Sequence, residues 1–417
     1  MLFNRSRAQD ILSREKLDGL IAHQPINQYY LSDYWGLFNS PGGYDGAYFS
    51  VFPRAENQAA ALVIPALELR RLETTGGTWM PNVVSYSDVL ENEFLDDGTP
   101  RGADYIGWKV AAEASPDLLQ PLEKRWVDIV QRMGRQMSPN AFWALTRAIK
   151  TAGLEKARIA VDDARIADWL ALCGLKHVEC VYWPQLFNEI RLVKTAAELD
   201  IMKTAAVMNE QALFAATDAL RIGATWNDIE NIYMSDLARR GGRGIYLLCG
   251  LGELPAESVR LNEPIMFDAL GRYKHYCADF GRCAVVGEPS EKHRRLHQGI
   301  CLGWDVAQQY LKPGVKYSEL SQAVGDAVRK AGFTEFRNPV VHSLGLEHTD
   351  DPKPFGVQPQ IKFDQVLEKN MVVNVDMPHT EIGWGSVHIE DTVVITDDGF
   401  IKLSEANLDI RIIPARI

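Results

Sequence analysis

At 417 residues, 46% of them apolar and 24% charged, the chain has material for two or three domains, each with a core of its own, and a composition ordinary for a soluble globular protein. Its formal net charge of −11, from 55 acids against 44 bases without a long block of either sign, argues against nucleic acid or an anionic membrane surface as the main partner. The longest apolar run, Ala59 to Leu67, contains Pro65 and is far too short to cross a bilayer.

In chain order, "NRSRAQDILSREKL" has apolar residues at helical spacing, and "DGLIAH" reads as a buried strand. "INQYYLSDYWGLFN" follows with five aromatic residues, a cluster expected in a core. "AAALVI" predicts a further strand before "PALELRRLE", and "RIAVDD" near residue 160 opens another strand and helix unit. This alternation predicts an α/β domain with a parallel or mixed sheet. After "WPQLFNEIRLVKTAAEL", Thr195 and Glu198 form a T-x-x-E capping box, which places a domain boundary here. The helix it opens carries Leu199, Met202, Ala205 and Ala206 as an apolar stripe. Gly223 ends that pattern and Thr225 starts the next helix. Past residue 260 the reading turns to strands: "PIMFDA", "CADFGRCAVV", "MVVNVDM" and "SVHIEDTVVIT". Helix "EKHRRLHQGICLGWDVAQQYL" interrupts them, with His293 and His297 expected on its solvated side. Gly250-x-Gly252 is expected to be a turn.

The six cysteines lack the two-residue spacing of a zinc ribbon or a redox motif and are read as reduced thiols. The start, "MLFNRSRAQDILSREKL", lacks the apolar core of a signal peptide, so a cytoplasmic location is expected.

Within the strands sit acids. Asp268 follows Ile265-Met266-Phe267, and Asp279 precedes Phe280-Gly281, with Gly271, Arg272 and Lys274 fitting a hairpin loop between them. A single Asp at a strand end is usually a turn residue or a cap. Asp376 in "NMVVNVDMP" and Glu390 in "SVHIEDTVVIT" change that reading, because both lie among apolar neighbours. A buried ionised carboxylate costs several kcal/mol unless it is paired or metal-bound. Arg282 and Arg272 are the only local basic candidates, whereas divalent cations would satisfy all four acids. "NPVVHSLGLEHTDDP" adds His342 after two valines, with His348 six residues later. Carboxylates with an imidazole form a hard to borderline donor set suited to Mn²⁺, Fe²⁺, Co²⁺ or Zn²⁺.

At these residues the chain resembles the two-domain pita-bread family that contains prolidase, aminopeptidase P and creatinase. Asn27, Tyr30, Leu31 and Ser32 match its Asn-x-x-Tyr-Leu-Thr/Ser-Gly motif, and Arg191, Lys194, Thr195 and Glu198 match its boundary signature. The family's metal ligands are two Asp eleven apart, then His, Glu and Glu. Asp268, Asp279, His342, Asp376 and Glu390 fall at those places, the last within Ile389-Glu390-Asp391. The resemblance implies an α/β N-terminal domain over residues 1–188 and an α+β pita-bread catalytic domain over 189–417. It also implies two divalent ions per chain, a small-molecule or short-peptide substrate, and a homodimer in which a neighbour's first domain closes the site. The implied reaction is cleavage of an amide or related C–N bond by a metal-activated hydroxide, with His348 and His388 stabilising charge or moving protons.

Four departures from the family bear on the substrate. Asp376 stands where the family has Glu, which withdraws the carboxylate by about 1.5 Å. His348 lies six rather than seven residues past His342. His388 replaces an Arg before Ile-Glu-Asp, and no histidine lies between His177 and His275, where peptidases of this fold carry one on a loop. These point to weak or absent cleavage of ordinary Xaa-Pro peptides. The alternatives are a small-molecule enzyme of the same fold, either a creatinase-like amidinohydrolase or a dimethylsulfoniopropionate lyase-like enzyme, and a non-catalytic binding protein.

Overall fold

The computed structural model describes residues 1–39, 47–87, 111, 115, 117–133, 136–250, 258–352 and 364–415. These divide into two compact units, Met1–Ile190 and Arg191–Ile417.

In the first unit, strands β1 (Gly19–Ala22), β2 (Phe49–Pro53), β3 (Ala61–Pro65), β4 (Asn82–Tyr86), β5 (Arg158–Val161) and β6 (Glu179–Tyr182) form one sheet. Its order is β4-β3-β2-β1-β5-β6, with parallel and antiparallel pairs mixed. Strands β1 to β3 are buried along their whole length, which accounts for their apolar character; the polar Ser50 of β2 donates to the Gln28 carbonyl at 2.9 Å. Helix Ala141–Thr151, capped by Asn140, packs Ala144, Leu145 and Ala148 onto Ile21, Val51 and Val63. Asn27 of the "INQYYL" motif donates to Asp162 at 2.9 Å, and Asp162 also accepts the backbone N–H groups of His23 and Gln24. One carboxylate thereby closes the start of helix Pro25–Ser32. Tyr30 and Tyr34 are buried, and the hydroxyls of Tyr34 and Tyr48 both reach the buried Glu68. Much of the aromatic cluster is core.

In the second unit, β7 (Arg243–Cys249), β8 (Ile265–Tyr273), β9 (Tyr276–Val286), β10 (Val340–Ser343), β11 (Val372–Glu381) and β12 (Gly385–Ile395) run in the order β10-β11-β12-β9-β8-β7. Two short strands, β13 (Phe400–Lys402) and β14 (Arg411–Ile413), add to β12 and β9. Helices Ala196–Asp218 and Trp226–Arg239 pack Leu213, Tyr233 and Leu237 onto Phe267, Ala269 and Phe280. Helices Glu291–Tyr310 and Tyr317–Lys330 do the same with Ile300 and Val324 against Val375, Val387 and Ile389.

Because side chains alternate along a strand, these apolar residues occupy one face of the sheet and their immediate neighbours the other. The acids flanked by apolar residues in sequence are therefore those of the face without helices. Asn209 braces the β8–β9 hairpin from the helical side, donating to the carbonyls of Ala269 (2.7 Å) and Ala278 (3.1 Å) while accepting from Tyr233.

The hairpin turn is tighter than the sequence predicts. Gly271 and Arg272 belong to β8, and the turn is Lys274-His275 alone, both at positive φ in the pattern of a type I′ turn. His293 and His297 are also misplaced by the sequence reading: both are buried, 0% and 8% exposed. They share the inward stripe of their helix with Leu296, Ile300 and Trp304. The loop around "CGLGELPAES" lies outside the described residues from 251 to 257, and Gly250 has φ +63°.

Candidate metal centre

Strand register assembles the centre. Gly281 on β9 lies opposite Asp268 on β8 and opposite Glu390 on β12. Glu390 in turn lies opposite Asp376 on β11, and His342 on β10 lies opposite Asn374. Asp279 is two residues from Gly281, and Asn374 two from Asp376. With a period of two, Asp268, Asp279, His342, Asp376 and Glu390 all share one face. His388, two residues before Glu390, joins them.

Gly281 is the floor of this space. A Cβ there would lie 2.5 Å from His388 Cε1 and 2.9 Å from Glu390 Cβ, so only glycine leaves both side chains where they are.

The donor atoms fall into two neighbouring groups, Asp279 with His342 and His348, and Asp268 with His388 and Glu390, each within 4.8 Å. His348 Nε2 lies 2.7 Å from Asp279 Oδ2, and its side chain is 42% exposed while that of Asp279 is buried. Asp376 stands at the more open edge, with its Oδ1 2.6 Å from His388 Nε2. The other His388 nitrogen faces the Phe267 carbonyl at 3.0 Å. A carbonyl only accepts, so Nδ1 carries a proton. Burial draws the His388 pKa down, but the hydrogen bond to Asp376 and the charges of Asp376 and Asp268 outweigh it and leave the value raised. These neighbours favour the protonated ring.

Asn374 donates to Glu390 Oε1 at 2.8 Å, and Thr392 ties Asn374 to the Asp279 carbonyl. Arg282 is committed to Asp391 at 2.8 Å, and Arg272 lies against the Cys277 thiol. Among the described residues, three buried carboxylate oxygens then lack any hydrogen-bond partner: Asp268 Oδ1, Asp279 Oδ1 and Glu390 Oε2. Desolvated acceptors left unpaired are costly. Oxygen and imidazole donors converging on one space suit divalent cations of hard to borderline character, so these residues fit such ions.

Burial first, and then the charges of its acidic neighbours, push Asp268 up to about 7 and Glu390 well above its ordinary value. Without metal, the folded state keeps protons that the unfolded chain has released from about pH 4 upward. Stability therefore falls as pH rises from about 4 to 7 and loses no more through Asp268 above that. Divalent ions compete with these protons. The gain in melting temperature on adding Mn²⁺ to chelator-treated protein is expected to grow between about pH 5 and pH 7.5. A flat or shrinking gain would place the ion elsewhere.

Tyr246 escapes the sequence reading. On β7 it lies opposite Leu270, and burial followed by the charges of Asp268, Asp279, Glu390 and Asp376 raises its phenol pKa. Its ring meets that of His348 edge-on, with centroids 6.3 Å apart. The run "YLLC" carries no alternation that marks it; its placement follows from the β7–β8 register.

The model described as metallopeptidase family M24 matches residues 200–397, and that of the creatinase/prolidase N-terminal domain matches residues 5–193. The chain is 28% identical over 309 residues to a Xaa-Pro dipeptidase of Lactobacillus helveticus, covering 70% of this chain and 78% of that one. It is 24% identical over 237 residues to a Xaa-Pro dipeptidase of Pyrococcus furiosus, covering 54% of this chain and 66% of that one. Among solved structures, a Xaa-Pro dipeptidase from Bacillus anthracis shares the fold with a TM-score of 0.69 at 17% identity, over 98% of both chains. A prolidase from Pyrococcus horikoshii gives 0.66 at 16% identity, over 97% of this chain and 99% of that one.

Proposed function

A chain made of a creatinase/prolidase N-terminal domain followed by an M24 domain belongs to the pita-bread metallopeptidase family M24, and on that premise we propose that it hydrolyses a peptide-type C–N bond in a small substrate. The observation that carries the reading is the trio of buried, unpartnered carboxylate oxygens on one face of the sheet.

In this proposal Asp268, Asp279, His342, Asp376 and Glu390 hold two divalent ions, drawn from Mn²⁺, Fe²⁺, Co²⁺ or Zn²⁺. Such ions supply Lewis acidity and a water activated at neutral pH. Glu390 or Asp376 relays a proton during the reaction. His348, half in solvent and hydrogen-bonded to Asp279, delivers a proton towards the leaving amine. His388 holds Asp376 and, when protonated, offers positive charge to an oxyanion.

Residues 1 to 188 act as a separate domain for substrate capture, and the working unit is a homodimer. Light scattering is expected to give twice the chain mass at assay concentration. A fully active monomer would count against this arrangement.

The relatives' names specify Xaa-Pro bonds, yet two imidazole or guanidinium positions of that chemistry are altered here. The sequence has no histidine between His177 and His275, and His388 stands in place of Arg. A panel of Xaa-Pro dipeptides and tripeptides beside small betaine, guanidino and amide acids, each with Mn²⁺, Fe²⁺, Co²⁺ and Zn²⁺, tests the reading. Weak proline-peptide turnover and stronger cleavage of a smaller amide are expected. Proline-peptide kcat/KM of about 10⁴ M⁻¹s⁻¹ or more would show that the altered positions do not set the substrate, and no hydrolysis of any member would overturn the reading.

A further inference from the structure

Arg191 and Lys194, singled out in the sequence only as a boundary signature, lead to the proton-handling side of the centre. Both are buried, 2% and 1% exposed, and both converge on Asp350, itself 1% exposed. Arg191 donates twice to Asp350 Oδ1, at 3.1 and 2.6 Å, and Lys194 Nζ lies 3.5 Å from Asp350 Oδ2. Lys194 also donates to the Arg191 carbonyl at 2.8 Å, which locks the two cations to each other.

Asp350 lies two residues past His348, in a loop closed on itself. The Asp350 N–H donates to the Ser343 carbonyl at 3.1 Å, and the Ser343 N–H donates to Asp351 at 3.1 Å. At the turn of this loop Gly345 accepts from the Cys277 N–H on β9 at 2.8 Å. A Cβ on Gly345 would sit 2.1 Å from Asp350 Oδ2 and 3.1 Å from Lys194 Nζ, so the loop backbone rests directly on the ion cluster.

We propose that the Arg191–Lys194–Asp350 cluster is the positioning device for His348: it fixes the Ser343–Asp351 loop so that the exposed imidazole meets Asp279. Asp350 binds Arg191, Lys194 and, through its N–H, the Ser343 carbonyl, and acts through the backbone it anchors. Removing its charge weakens the pairing of two buried cations, leaving Arg191 its 2.6 Å pair with Glu347, the residue before His348, and the loop is the element free to respond. A displacement of about 1 Å at a proton-transfer group costs about 10²-fold. The inference rests on the role given to His348 above, and its test has an arm that needs no turnover.

The test compares Asp350→Asn, His348→Ala and the double variant, using the best substrate of the panel. Asp350→Asn is expected to lower kcat by about 10²-fold with KM little changed, and to change kcat less than twofold when His348 is already Ala. A loss of the same factor in both backgrounds would assign Asp350 a merely structural role and overturn the proposal. The second arm maps diethylpyrocarbonate labelling by mass spectrometry. His348 is expected to label several times faster in Asp350→Asn than in the wild type, while the exposed His177 of the first unit keeps its rate. Unchanged His348 labelling would also overturn the proposal, whatever the substrate proves to be. Should Asp350→Asn fail to fold, Gly345→Ala presses on the same contact with the charges intact, and the same two outcomes apply.

Discussion

Asp279→Ala and Glu390→Ala are each expected to strip the divalent ions and abolish turnover while leaving the chain folded. Each residue presents an unpartnered, buried oxygen to the common space, so truncation removes a donor that no other side chain replaces. Changes one shell further out already cost about 10–100-fold in metal affinity or activity, and loss of the carboxylate itself should exceed that range. The fold should persist, because the opposite face of β9 and β12 keeps its apolar contacts through Phe280, Val387 and Ile389. Without metal these variants should melt no lower than the metal-free wild type near neutral pH, since each removes one member of a crowded, buried set of acids. Metal content by mass spectrometry and melting by circular dichroism check both halves. Wild-type metal and turnover in either variant would sink the assignment.

His348→Ala should separate chemistry from metal binding. Its ring is hydrogen-bonded to Asp279 yet 42% exposed, a placement suited to exchanging a proton with substrate. A positioned acid–base group contributes about 10²–10⁴-fold, so kcat is expected to fall by that factor with metal stoichiometry unchanged. If metal is lost in parallel with kcat, the imidazole is a ligand and its proton-handling role is withdrawn.

The centre was readable from sequence because its residues lie in strands, where a period of two converts spacing into a shared face. Asp268, Asp279, Asp376 and Glu390 each interrupt an apolar run, and each run belongs to the helix-covered side of the same sheet. Which strands lie side by side was not readable: β9 meets β12 across more than a hundred residues of intervening chain. That hid the pairing of Asp376 with His388 and the approach of Tyr246 from β7. His293 and His297 were placed in solvent on residue type, although Leu296, Ile300 and Trp304 mark their side of the helix as the buried one. The Arg191 and Lys194 signature marks a boundary but not the partner of its cations, since Asp350 is distant in sequence.

The Lys274-His275 turn has a consequence for how this hairpin can vary. With two residues in the turn, the partners across the hairpin always have numbers of opposite parity, Tyr273 with Tyr276 and Asp268 with Gly281. Two acids on the same face of the two strands must then be separated by an odd number of positions. The turn can grow by matched pairs, one residue added to each strand, and the acid-bearing end is untouched. A single inserted residue breaks the parity and demands a bulge or a longer turn. The Lys274-His275 turn is therefore where the second unit can accept added length, and the strand from Tyr276, bonded to Glu198, through Cys277, bonded to Gly345, to Gly281 is where it cannot.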